Sequence, residues 1–169
     1  MRCGSRMART GTRPPVPSPA CRLTSSLVQL WLEIEGESER RELPGGGAAL
    51  VAFMSFAVMR GFGGTHALIA LADRLHDEHR VRMGSITTFY EAEAEDAEDR
   101  EKLEMAWQES GLLRGELEKC VDAFEADSMC ATLARRGGVE TLPAELAGLA
   151  EALRGPAATG TRIRLVYAL

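Results

Sequence analysis

The feature that most limits the fold of this chain is an apolar run, AALVAFMSFAVM, which extends from Ala48 to Met59. It contains no charged side chain, so it has to be buried. Its length favours a helix, whereas its β-branched and aromatic residues favour a strand. Periodicity does not separate the two, because a segment that is apolar on every side shows no polar face. The sequence therefore leaves both structures open.

The apolar run is also a candidate for a membrane span, because only Arg60 and His66 interrupt the stretch from Ala48 to Ala72. A helix that crosses a bilayer needs about 20 apolar residues, which is more than the uninterrupted run provides. Arg60 would lie near the middle of the bilayer, where a charged side chain is costly. We therefore predict no membrane span.

A glycine-rich segment, GFGGTH, follows the apolar run and precedes a helical pattern. A strand, a glycine-rich turn and a helix form the usual layout of a βα phosphate site, because glycines let the backbone approach the anion. This layout makes Gly61, Gly63, Gly64 and Thr65 a candidate phosphate-binding loop, with Thr65 as the N-cap of the helix. His66 is the candidate catalytic residue, since it can accept a proton near neutral pH. The alternative is a hinge before a capped helix, and it holds if the apolar run is a helix.

The remaining pattern predicts one α/β domain of mixed strands and packed helices over residues 26–169. Alternation of apolar and polar residues predicts strands at Ser26–Gly36, Arg80–Phe89 and Thr161–Leu169. Helical spacing and end signals predict helices at Thr65–His79, Ser128–Gly137 and Pro143–Arg154, and a heptad-like seam within Lys102–Phe124. A helix-dominated α+β fold is the alternative if the apolar run is helical.

Charge is divided unevenly along the chain. The first 32 residues contain five arginines and no acidic residue, whereas residues 33–169 carry all 25 acidic side chains against 15 basic ones. A body this acidic repels phosphates, so we expect no nucleic-acid partner. Residues 1–25, rich in proline, arginine and serine, predict a disordered basic leader without the apolar core of a secretory signal. Its composition is compatible with organelle import.

Histidine and cysteine spacing does not indicate a metal site. His76 and His79 are three residues apart, but the helical period turns them and His66 in different directions. The four cysteines contain no C-x-x-C pair, so we expect reduced structural thiols, an intracellular protein, and neither a metal nor a cofactor. The seven acidic residues within Glu91–Glu101 are expected to form a solvated helix start.

The segment from Leu50 to Phe89 resembles the start of the lipid and sterol glycosyltransferases, two-domain Rossmann-type enzymes that use nucleotide-sugar donors. The matching residues are Gly63, Ala70, Leu71, Arg74, Leu75, His79, Arg80, Val81, Arg82, Thr87 and Phe89. Where the family places the Asp that takes the proton of the acceptor hydroxyl, this chain has Gly64. The family's donor-binding half has no counterpart here. The resemblance implies a glycosyltransferase-like acceptor domain, incomplete or dependent on a partner, with a nucleotide sugar as ligand.

A second function fits the sequence without any catalysis. The chain would be a helical protein–protein interaction module that uses the helices within Lys102–Phe124 and Pro143–Arg154. The heptad-like seam more often marks a helix packed in its own core than a dimer zipper. Both functions predict a protein partner.

Overall fold

The computed structural model of the chain describes residues 28–62 and 64–169. The predicted leader, residues 1–25, and Gly63 of the predicted phosphate-binding loop lie outside the described residues. The strands are β1 (Gln29–Ile34), β2 (Arg41–Glu42), β3 (Phe89–Glu91), β4 (Gln108–Glu109) and β5 (Arg162–Ala168). The helices are α1 (Ala48–Ala57), α2 (Ala67–Asp77), α3 (Met83–Ile86), α4 (Ala97–Met105), α5 (Ser110–Ala126), α6 (Ser128–Arg136), α7 (Leu142–Ala152) and α8 (Arg154–Thr159).

A mixed sheet is organised around β1 and β5, which pair antiparallel from Gln29↔Ala168 to Ile34↔Ile163. β2 lies on the far side of β1. β3 and β4 share the other edge of β5, with β3 parallel and β4 antiparallel to it. Every second residue of β1 is buried and the residues between are half-buried, so the alternation predicted for the first strand is confirmed. Together with the packed helices, this sheet confirms the predicted α/β class.

Ionic contacts link the outer face of the sheet to α4. Glu33 and Arg164 are paired across β1 and β5, and Arg164 Nε donates to the Glu33 carboxylate. Another nitrogen of Arg164 donates to the carbonyl of Leu103 at 3.0 Å. The guanidinium also lies 4.7 Å from the centre of the Trp107 ring, an attractive cation–π arrangement. Arg164 therefore fixes the C-terminal end of α4 against the sheet.

The apolar run is a helix, α1, and the strand alternative is wrong. Leu50, Phe53, Met54 and Ala57 are buried in it, at the spacing of one helical face. The helix contacts β1, α2 and α7, and this cover on several sides explains why the sequence shows no polar face. The layout of strand, glycine turn and helix is consequently not formed before Gly61.

The segment Arg80–Phe89 is not the strand that its alternation predicts. It contains the single helical turn α3, and β3 begins only at Phe89. The Glu116 carboxylate accepts the amide of Arg82, the N-cap residue of α3, at 2.7 Å. The hydroxyl of Thr87 donates to the carbonyl of Met83 at 2.9 Å. These bonds hold the segment as a turn, and one of the acceptors, Glu116, lies 34 residues from Arg82, beyond the reach of the local sequence pattern.

The predicted seam within Lys102–Phe124 is divided between two helices. α4 ends at Met105, and β4 pairs with β5 before α5 begins at Ser110. Leu113, Leu117 and Cys120 are fully buried, so this part of the seam packs in the chain's own core. α5 packs mainly against α7. This contact covers the apolar faces of the two helices that the sequence suggested for binding a partner.

Glu116, 7 % exposed, makes a pH-dependent contribution to stability. Burial raises the pKa of its carboxyl, but bonds from the Arg82 amide and from the Lys119 ammonium at 2.9 Å outweigh burial and leave this pKa lowered. A carboxyl with a lowered folded-state pKa stabilises above its unfolded value and loses that contribution as the pH falls. We expect the free energy of unfolding to fall between about pH 5 and pH 3, and less steeply in Glu116→Gln.

Urea titrations at several pH values measure this slope. Glu125→Gln, an exposed carboxylate on the same helix, is the control and should retain the wild-type slope. Equal slopes for wild type and Glu116→Gln would contradict the prediction.

Within residues 28–62 and 64–169, no helix combines the length and the apolar character needed to cross a bilayer.

Candidate functional site

The loop after α1 does not have the geometry predicted for a phosphate site. Gly61 has a positive φ of 84°, and an added β-carbon there would meet no atom within 4 Å. Gly64 lies beside the Ile69 side chain, which an added β-carbon would overlap. A helix precedes this loop instead of a strand. Gly61 therefore serves the connection between α1 and α2, and Gly64 allows the close approach of Ile69.

His66, not Thr65, is the N-cap of α2, so the cap prediction is wrong by one residue. Its Nδ1 accepts the amide of Leu68 at 3.2 Å. Its ring is stacked on Phe56, with 3.8 Å between the ring centres and 4° between their planes. The Leu68 amide is one that a phosphate at the helix start would use. The structure thus assigns His66 a capping role and connects it to the end of α1.

A cleft of about 480 Å³ at the β3 edge combines acidic and aromatic side chains. One wall is the end of β3 with the loop that follows it, and the other is the part of α4 that carries Asp99, Lys102 and Leu103. The lining residues that carry its chemistry are Phe89, Tyr90, Glu91, Glu93, Glu95 and Asp99. Tyr167 of β5 closes the inner end, with its ring 5.4 Å from that of Phe89.

The cleft carries unbalanced negative charge. Lys102 on α4 is the cation in its lining, and it is paired with Glu98 at 3.0 Å and Asp99 at 3.3 Å. These hydrogen bonds raise the pKa of Lys102, so it stays charged. Within the part of the chain that the structure describes, Glu91, Glu93 and Glu95 form no ion pair. Glu91 ends β3, Glu93 and Glu95 lie in the loop that follows, and all three are exposed in the lining of the cleft, so their carboxylates have no counter-charge there.

The outer side of β3 has no strand partner among the described residues, because β3 ends the order β2–β1–β5–β3. The amide of Ala92 donates to the Tyr167 carbonyl at 2.7 Å, which places Tyr90 and Ala92 on the side of β5. Since backbone groups alternate along a strand, those of Phe89 and Glu91 point to the open side. An extended peptide could pair with them.

No family model, curated protein or solved structure matches the chain. The chemistry of the cleft therefore has to carry the functional conclusion.

A second cluster joins α2 to the start of α6. His79 Nε2 lies 3.1 Å from Asp127 Oδ2, and the Cys130 sulfur lies 3.7 Å from the same oxygen. Arg74 Nε also donates to this oxygen. The other oxygen, Oδ1, accepts the Met129 amide at 3.0 Å and so caps α6. Three residues of metal-ligating type thus converge, although the three histidines do not.

The charge states in this cluster follow from its contacts. Hydrogen bonds from Arg74 and His79 hold the pKa of the Asp127 carboxyl well below its usual range, so the group is a carboxylate. Burial raises the pKa of the Cys130 thiol to about 11, and the neighbouring carboxylate adds to this shift. Cys130 is fully buried and protonated at neutral pH, so as it stands it is not a nucleophile.

Both sites include contacts that the sequence did not indicate. The acidic run forms the predicted helix start only from Asp96 onward. Asp96 caps α4 by accepting the amide of Asp99 at 2.9 Å. Its first half ends β3 and lines the cleft. Asp127 and Cys130 stand three residues apart at a helix start, a local signal that could have drawn attention to them. No local signal places His79 beside them.

Proposed function

We propose that this chain is a non-catalytic binding module that takes a basic segment of a protein partner along the open edge of β3. The observation that carries the proposal is the cleft itself, in which uncompensated carboxylates, aromatic rings and a free strand edge lie together. This is a protein–protein interaction, as the sequence suggested, but at the sheet edge instead of on α5 and α7.

Charge selects the class of partner. Glu91 ends β3, and Glu93 and Glu95 lie in the loop that follows, so three carboxylates occur at every second residue along one wall of the cleft. Arginine or lysine at alternate positions of the partner would meet these carboxylates. Complementary charge of this kind increases the association rate and excludes acidic partners.

The strand edge supplies affinity that does not depend on the side chains of the partner. The backbone groups of Phe89 and Glu91 on the open side can form main-chain bonds with an added strand, as in other cases of β-augmentation. The Tyr90 and Tyr167 rings give the stem of an arginine an apolar and cation–π surface.

The lack of buried residues on α4 supports a role for this wall in binding. α4 buries none of its residues, and Met105 at its end is 69 % exposed. A helix without a buried face gains little stability from its own chain. A ligand between α4 and β3 would give this helix the packing that it lacks.

Binding of a basic strand tests the proposal directly. The probe is a fluorescein-labelled peptide of about nine residues that alternates arginine with valine, and the full chain is titrated by fluorescence anisotropy. We expect saturable binding that weakens with salt, and no binding of the glutamate–valine peptide. Glu91→Lys with Glu95→Lys should weaken binding by about tenfold, since two attractive contacts become repulsive.

Matched controls separate this site from general charge attraction. Glu125→Lys with Glu140→Lys makes the same change in net charge at two exposed residues outside the cleft, and should leave the affinity nearly unchanged. A probe with N-methyl groups on alternate residues keeps its charge but cannot donate to β3, so it should bind more weakly. Equal weakening by both double variants would contradict the cleft as the site, and no binding of the basic probe would contradict the proposal.

The glycosyltransferase-like function stays a prediction from the sequence resemblance. The same titration with uridine diphosphate glucose distinguishes it from our proposal, because that ligand is anionic and the cleft repels it. Saturable binding that is lost in Gly64→Val would favour the glycosyltransferase-like function.

A further inference from the structure

We propose that His79 Nε2, Asp127 Oδ2 and Cys130 Sγ form a zinc site with one position left for water. This inference is independent of the binding cleft. Imidazole nitrogen, carboxylate oxygen and thiolate sulfur are the ligand atoms that proteins offer to zinc. Three protein ligands with a fourth, open position is the composition of zinc sites that bind a water or a substrate.

Two of the three separations between the ligand atoms are close to those of a tetrahedral zinc site. Zinc bonds of usual length at tetrahedral angles separate the ligand atoms by about 3.3–3.6 Å. The nitrogen–oxygen separation is 3.1 Å and the sulfur–oxygen separation is 3.7 Å, and all three atoms lie within 4.8 Å of one another. Movements of a few tenths of an ångström at the shared oxygen bring these two separations to the values that zinc requires.

The backbone already holds two of the ligands at fixed positions. Asp127 caps α6 through Oδ1, so the oxygen that faces His79 and Cys130 is not needed for the cap. Cys130 lies in the first turn of the same helix. Arg80, directly after His79, has a positive φ of 58°, and this left-handed residue turns the chain sharply after α2. Zinc would thus bind without unfolding either helix end.

Solvent reaches the open side of the cluster. The His79 and Asp127 side chains are 23 % and 15 % exposed, whereas Cys130 is fully buried. Zinc can therefore enter beside the first two ligands and keep a water molecule there. The thiol proton of Cys130 leaves to solvent as the sulfur–zinc bond forms, so binding releases a proton.

Arg74 is the group that competes with zinc. Its guanidinium donates to the same Asp127 oxygen, and a positive charge this close opposes a divalent cation. The Arg74 side chain is 37 % exposed, so it can turn toward solvent when zinc binds. This competition predicts that removal of the guanidinium charge increases the affinity for zinc. If the Arg74–Asp127 ion pair only held the site together, its removal would decrease this affinity instead.

Cobalt substitution tests the site. The full chain is titrated with Co²⁺ and then with Zn²⁺. Cys3 and Cys21, which precede the described residues, are replaced by serine in it so that their thiols cannot bind the metal. We expect one equivalent of Co²⁺ with a thiolate charge-transfer band that Zn²⁺ removes, and a melting temperature that rises with Zn²⁺. Cys130→Ser and His79→Ala should lose the band, while Cys120→Ser, also a buried thiol, should keep it.

Arg74→Gln gives a measurement that does not depend on the loss of a ligand. It should bind Co²⁺ more tightly, by about tenfold or more. Far-ultraviolet circular dichroism shows whether each variant is folded. If Cys130→Ser does not fold, His79→Ala replaces it as the test, because the His79 side chain is partly exposed. Absence of the band in the wild type, its persistence in folded Cys130→Ser, or unchanged or weaker binding in Arg74→Gln would overturn the proposal.

Discussion

Replacing Gly47 by alanine is expected to destabilise the fold by about 2–5 kcal/mol. Gly47 has a φ of 74°, and an added β-carbon would lie 2.7 Å from Cβ of Leu30. Left-handed backbone costs a residue with a β-carbon about 1–2 kcal/mol, and overpacking adds about 1–3 kcal/mol. Leu30 is fully buried in the central strand β1, so the contacted atom belongs to a part of the side chain that no rotamer change can move.

The turn around Gly47 offers no easy relaxation. The amide of Leu30 donates to the Gly46 carbonyl at 2.8 Å, and the amide of Val51 donates to the Gly47 carbonyl at 2.9 Å. Gly45 and Gly46 also have positive φ, 80° and 77°. The turn therefore joins β1 to the start of α1 through fixed hydrogen bonds.

Gly36→Ala separates the two costs. Gly36 has a φ of 86°, but a β-carbon there would meet no atom within 4 Å, so only the backbone cost of about 1–2 kcal/mol remains. Chemical denaturation of the wild type, Gly36→Ala and Gly47→Ala measures the backbone cost and the packing cost. Gly47→Ala should lower the melting temperature by on the order of 10 °C. Equal destabilisation by the two substitutions would show that the contact with Leu30 relaxes.

Local pattern predicted the elements whose burial is one-sided. β1 alternates in the sequence because one of its faces lies on the core, and α2 shows its buried face as a leucine stripe. α1 is covered on several sides, and this removes the polar face that would have distinguished a helix from a strand. The PGGG segment shows the same limit, since a run of glycines in the sequence does not distinguish a flexible connection from the fixed turn at Gly47.

The candidate sites depend on contacts that are distant in the sequence. Tyr167 closes a cleft that begins at Phe89, and His79 meets Asp127, which lies 48 residues further along the chain. The spacing of the three histidines along the sequence does not reveal a ligand set of mixed type. The acidic character of Glu91–Glu101 is evident in the sequence, but its division between a strand end and a helix start depends on the pairing of β3 with β5.

Substitution of Glu145 by alanine is the second change with a large expected effect, about 2–4 kcal/mol. Glu145 lies on α7, is only 8 % exposed, and accepts the amide of Leu50 at 2.9 Å. Its other oxygen accepts the hydroxyl of Thr141 at 2.9 Å. Gly47, the N-cap of α1, has no side chain to bind the first amides of the helix, so a carboxylate from another helix performs the capping.

Alanine at position 145 leaves a buried amide without an acceptor, which costs about 1–3 kcal/mol, and also removes packing between α1 and α7. Glu145→Gln keeps an acceptor for Leu50 and loses only the favourable charge at the helix start, about 0.3–1 kcal/mol. Urea denaturation should therefore rank the proteins as wild type, Glu145→Gln and Glu145→Ala in decreasing stability, with the larger step at alanine. Equal losses for the two variants would mean that the charge and not the hydrogen bond stabilises α1, because only the hydrogen bond distinguishes glutamine from alanine at the Leu50 amide.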